Sequence, residues 1–132
     1  MMRWARSLFD FPPIHIFFLI VAVLYAFGGA IHIANMLSLS GYPWSAAPLS
    51  WKILDAVFLL LNATVVVTVL LKSGWAVSAF LLAAGIQLVL YEFFPDQFGT
   101  TPDHARAIRH LLMLNAVLIG AFFGLVAIRR FV

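Results

Sequence analysis

At 132 residues, 64% of them hydrophobic and 10% charged, with a mean hydropathy of +1.06, the chain is far too apolar for a water-soluble globular domain. The net charge of +3 does not signal a nucleic-acid partner. Its basic residues stand singly or in pairs at the ends of apolar runs, where membrane proteins anchor and orient themselves. Cysteine is absent, which excludes disulfides, thiol redox chemistry and thiolate metal sites.

The expected fold class is all-α: an integral membrane four-helix antiparallel bundle, with residues 1–132 forming a single transmembrane domain. Met1 to Pro13 form a short basic head, with Arg3, Arg6 and the interfacial rings Trp4 and Phe11, closed by Pro12-Pro13. Proline is tolerated at a helix start, so the first span is placed over residues 14–34, long enough at ~1.5 Å per residue to cross ~30 Å of hydrocarbon. The run exceeds a signal-peptide core and has no clean small-x-small site behind it, so it reads as a retained span. Ala22, Ala26, Ala30 and Ala34 recur every fourth residue and predict a close helix-packing face. His15, at the inner start of this span, reads as an interfacial residue.

A turn-rich connection with Gly41, Pro43 and Pro48 and the interfacial rings Tyr42 and Trp44 leads to a second span over residues 51–71. It carries Asp55 near its start and Asn62 at mid-depth. Lys72-Ser73-Gly74 is too short for anything but a hairpin, so the third span, residues 75–94, runs antiparallel beside the second. Ala79, Ala83 and Gln87 share one ridge on it, Tyr91 follows, and Pro95 ends it. Thr101 or Asp103 can cap the fourth span, residues 105–128, whose ridge Ala116, Gly120, Gly124 contains a Gly-x-x-x-Gly expected to meet another helix closely. Positive-inside counting puts Arg3, Arg6, Lys72, Arg129 and Arg130 on the cytoplasmic side, with both termini, in a bacterial inner or plasma membrane.

Most ionisable groups gather between Tyr91 and Asn115, and antiparallel geometry brings them level with the outer ends of the other spans. His32 and Asn35, Lys52 and Asp55, Gln87, Tyr91 and Glu92, and His104, Arg106, Arg109 and His110 all fall within about two turns, ~10 Å, of one face. An ionisable group inside a span costs ~2.5–3.5 kcal/mol on insertion scales unless it pairs or meets water, so this distribution predicts a polar cavity in the extracytoplasmic half. In it His32, Asp55 and His110 would form the polar core. Arg106 and Arg109 would anchor a carbonyl or anionic group, Gln87 and Tyr91 would orient it, and Glu92 with Asp55 would balance the basic residues. The competing reading is that Glu92, Arg106 and Arg109 only snorkel to the interface.

Two cofactor arrangements are open at this stage. His32 and His110, on different spans at similar depth, have the placement of bis-imidazole haem ligands, and Met36 and Met113 add a soft set suited to copper. A quinone or a lipid headgroup held over an apolar floor demands less of the sequence. Phosphate-loop, dinucleotide, Ser-His-Asp and zinc-hydrolase signatures are absent. Four short spans, with Gly28-Gly29-Ala30-Ile31-His32 closing the first, resemble the DoxX-like small bacterial membrane proteins, in which a G-x-x-H-like stretch ends the first helix. That resemblance implies a link to membrane redox or quinone-coupled processes and favours a ligand pocket. The expected partners are the lipid bilayer and, in the competing class, a homo-oligomer or larger membrane complex in which the chain is a non-catalytic accessory subunit. A small transporter acting as a dimer is the third reading.

Overall fold

The computed structural model describes residues 2–98 and 102–132. A short helix α1 (Met2–Ser7) and a 3₁₀ turn (Leu8–Asp10) lead into α2 (Pro12–Met36), and a second 3₁₀ turn (Trp44–Ala46) precedes α3 (Leu49–Leu70). α4 (Trp75–Phe93), α5 (Pro95–Phe98) and α6 (Pro102–Arg129) complete the chain. The helices α2, α3, α4 and α6 are each long and apolar enough to span a membrane, as expected from the hydropathy runs. This is a multi-pass, all-α membrane bundle.

Neighbours in the bundle follow chain order. α2 packs on α3, α3 on α4 and α4 on α6, and a lighter α2–α6 contact closes the ring. The α3–α4 hairpin forms as the sequence predicts, but its left-handed residue is Lys72 (φ 48°) and not Gly74, whose φ is −60°. The Ser73 N–H reaches back to the Thr68 carbonyl at 2.9 Å, capping α3 as a left-handed C-terminal residue does. α2 ends alike, with Ser38 at φ 59° and the Leu39 N–H on the Ala34 carbonyl at 2.9 Å. The proposed cap Thr101 lies outside the described residues, and Asp103 sits in the first turn of α6.

The N-terminal head is more than an interfacial anchor. Ala5, Leu8 and Phe9 are buried, so α1 and its 3₁₀ turn fold under the bundle and close the end that holds the N-terminus. Arg129 donates to Ser7 Oγ at 3.2 Å, which ties the last turn of α6 to the head and puts both termini at one end. Above the head lies an aromatic cluster. Phe18 sits 5.2 Å from Phe9, 6.0 Å from Phe80 and 5.8 Å from Phe122, and Phe17 also contacts Phe18, Phe80 and Phe122. Most of these pairs are edge-to-face, the arrangement the ring quadrupole favours, worth ~0.5–1.5 kcal/mol each beyond area burial.

Two small-residue expectations come out differently. Of the alanine ridge on α2, Ala22 is buried while Ala26 and Ala30 are exposed. The close approach is made instead by Gly28 and Gly29, where a Cβ would stand 3.0 Å from Asn62 Nδ2 and 3.7 Å from Leu59 Cδ1, respectively. Gly120 and Gly124 have nothing within 4 Å of where a Cβ would be, and with Ala116 they face away from the bundle. Within one chain the Gly-x-x-x-Gly is not a packing face.

Candidate functional site

The half of the bundle away from the termini encloses a cavity of ≈ 330 Å³ lined by α2, α3, α4 and α6. Each helix contributes a stripe. On α2 it is Leu24, Tyr25, Gly28, Ile31, His32 and Asn35; on α3 it is Trp51, Leu54, Asp55, Phe58 and Asn62. α4 gives Gln87 and Tyr91, and α6 gives His104, Ala107, Ile108, Leu111, Leu114, Asn115 and Leu118. These spacings of three and four place each set on one helix face. A smaller cavity of ≈ 190 Å³ adjoins it under the α2–α3 connection and shares Asn35, Trp51, Asp55 and His104.

Asp55 is the hub of the polar lining. His32 Nδ1 lies 2.6 Å from Asp55 Oδ1, and Asn35 Nδ2 donates to the same oxygen at 3.2 Å. A Nδ1–H donated to a carboxylate fixes the ring and leaves Nε2 as the acceptor of the neutral imidazole. The side chains of the pair are 16% and 15% exposed, so the bond is sheltered and still reachable from the cavity. Phe58 stacks on the His32 ring at 5.7 Å and lies 6.2 Å from Tyr91, which gives this level a flat aromatic wall. Across the cavity Asn115 Nδ2 donates to Gln87 Oε1 at 2.8 Å and to the Leu111 carbonyl at 3.0 Å, joining α6 to α4. At the mouth, Trp51 Nε1 donates to the Gln97 carbonyl at 3.1 Å.

Four of the sequence-predicted site residues line this cavity: His32, Asp55, Gln87 and Tyr91. Glu92, Arg106, Arg109 and His110 do not, and all four are exposed. The cause is helical phase. At ~100° per residue, Arg106 and Arg109 fall more than ~130° from the centre of the cavity-facing stripe of α6, and His110 about 100° from it. The expected charge balance is replaced as well. Asp55 is met by His32 and Asn35, Arg106 approaches Asp103 at an exposed 3.9 Å, and Lys52 donates to the Ser45 carbonyl at 3.2 Å.

The haem and copper arrangements required His32, Met36, His110 and Met113 to converge. Only His32 lines the cavity, and Met113 is 61% exposed. Among the described residues no three His, Asp or Glu side chains gather as a metal site. Asn62 and His104, which the sequence places at this depth without a role, also line the cavity, and so do Tyr25 and Asn115, to which it assigns none. Asn115 carries a usable signal: a mid-span amide cannot reach an interface and must face inward, which fixes the phase of α6 and brings His104, eleven residues before it, onto the same face.

Fold and site together define a small membrane protein of four spanning helices with a mainly apolar cavity in one half, into which a few polar side chains converge. No protein-family model, curated protein or solved structure matches the chain.

Proposed function

We propose that this protein binds a small amphipathic molecule in its cavity, such as a quinone, a lipid headgroup or another redox ligand, from the extracytoplasmic side of a bacterial inner membrane. The observation that supports this is the His32–Asp55–Asn35 cluster, which lines a mainly apolar cavity together with side chains such as Leu24, Phe58 and Leu111 and the further polar groups Asn62, Gln87 and Asn115. Concave, mainly apolar pockets with a few convergent polar groups are the usual form of small-molecule sites. The DoxX-like resemblance points the same way. The basic residues at the closed end, Arg3, Arg6, Lys72, Arg129 and Arg130, support cytoplasmic termini.

The test is to purify the protein in mild detergent and compare bound small molecules by native mass spectrometry with those of His32→Ala and Asp55→Asn. An adduct carried by the parent chain and missing from both variants is expected. Identical spectra would contradict the reading.

A second reading rests on a separate observation. Ala116, Gly120 and Gly124 form a smooth exposed face on α6, as an accessory subunit or homo-oligomer would use against a neighbour. Under that reading Gly120→Leu dissociates an assembly and His32→Ala changes nothing.

A further inference from the structure

Two buried polar groups of the cavity take no part in the network described above. Asn62 is 2% exposed and Tyr25 5%, both line the cavity, and neither Asn62 Oδ1 nor the Tyr25 hydroxyl has a hydrogen-bond partner. A buried polar atom left unpaired costs ~1–3 kcal/mol, and more when hydrocarbon surrounds the bundle, so two of them at one level need a reason. They are also held in place. Gly28 admits the Asn62 amide, since a Cβ there would stand 3.0 Å from Nδ2, and the Tyr25 ring packs edge-on against Phe80 of the aromatic cluster at 6.2 Å.

On each helix this floor lies seven residues from the upper cluster: Tyr25 from His32, and Asn62 from Asp55. Seven residues are two turns on one face, ~10 Å along the axis. The two stations are thus stacked along one side of the cavity, and a ligand that spans them must carry a polar group at each end. The floor presents an acceptor in Asn62 Oδ1, the Tyr25 hydroxyl can donate or accept, and His32 Nε2 above accepts in the tautomer that carries its proton on Nδ1. Phe58, between Asp55 and Asn62 on α3, supplies a flat wall for the ring.

We propose that Tyr25 and Asn62 form a second subsite that receives the distal hydroxyl of the ligand, and that the ligand class is a ring carrying hydroxyls at opposite ends, a 1,4-dihydroxyarene. This rests on the ligand-binding reading above and narrows it. The upper cluster holds one hydroxyl, Phe58 covers the ring, and the floor selects molecules with a second hydroxyl over those without one.

Two probes test it on the full chain in nanodiscs: a short-chain 1,4-benzoquinol under reducing conditions and the phenol that lacks its distal hydroxyl. Affinities are read by calorimetry for the parent chain, Tyr25→Phe and Asn62→Leu. The parent chain is expected to prefer the diol about tenfold, the worth of one net hydrogen bond. Both floor variants should keep their affinity for the phenol and lose the preference, and that retained phenol affinity shows that they are folded. Equal binding of the two probes by the parent chain, or a preference that survives both substitutions, overturns the subsite and leaves the binding reading standing. Binding of neither probe overturns both.

Discussion

The two halves of this bundle solve the same packing problem with opposite chemistry. The end that holds the termini is filled by Phe9, Phe17, Phe18, Phe80 and Phe122 over a folded-back head, and Phe18 and Phe80 have no exposure at all. At the far end the same four helices line a cavity of ≈ 330 Å³ and meet through side-chain hydrogen bonds. Lipid tails are as apolar as the helices, so a bundle gains little by hiding apolar surface and depends on close contact and on polar pairs. The aromatic half uses the first means. The polar half uses the second and gives up contact to keep a space. That division explains how a chain this short can hold an open cavity: the plug carries the cohesion and frees the other half to be loose.

The comparison breaks most visibly if the plug is cut. Phe18→Ala should lower unfolding stability in detergent by ~3–5 kcal/mol, because a fully buried ring among four others leaves a void its neighbours cannot fill. A loss under 1 kcal/mol would mean that the aromatic cluster is not what holds the helices together. His32→Ala should cost less, roughly 1.5–3 kcal/mol, the worth of a hydrogen bond to a carboxylate, since Asn35 still meets Asp55 and the cavity can admit water. Thermal unfolding read by circular dichroism gives both values. If His32→Ala proves the more damaging, stability resides in the polar half and the division of labour is reversed.

The smallest effects sharpen the boundary of the site. Arg106→Gln, Arg109→Gln and His110→Ala point away from the cavity and are exposed, so each should shift stability by no more than ~0.5 kcal/mol and leave ligand binding as it was. A large loss of binding in any of them would restore the arrangement that the sequence suggests and would require α6 to turn by about 100° or more.

That contrast also marks what was legible in the residues. The spans were, because uninterrupted apolar runs bounded by Pro12-Pro13, Lys72-Ser73-Gly74 and Pro95 leave little choice of ends. The depth of the site was legible too, since His32, Asp55, Gln87 and Tyr91 reach one level whatever way the helices turn. Helical phase was not. In a soluble helix the polar face announces the outside, but in these spans nearly every position is apolar, so rotation leaves almost no imprint on the pattern. Residues near a helix end, such as Arg106 and His110, satisfy the energetics equally by facing the cavity or the headgroups. Mid-span amides are the exception, and Asn62 and Asn115, read as phase markers, orient α3 and α6 correctly. The buried head was illegible for a different reason: Ala5, Leu8 and Phe9 show their role only once a bundle exists for them to close.

The central claim, that the polar half is open from one side and sealed from the other by the aromatic plug, has a direct measurement. The chain contains no cysteine, so a single one can be placed at will. Leu111→Cys lines the cavity and Val65→Cys sits fully buried in the core, and each can be exposed to a membrane-impermeant thiol reagent in oriented vesicles. Labelling of Leu111→Cys from the face opposite the termini only, with Val65→Cys protected from both faces, is the expected result. Labelling of both positions alike, or of Leu111→Cys from the side of the termini, would contradict it.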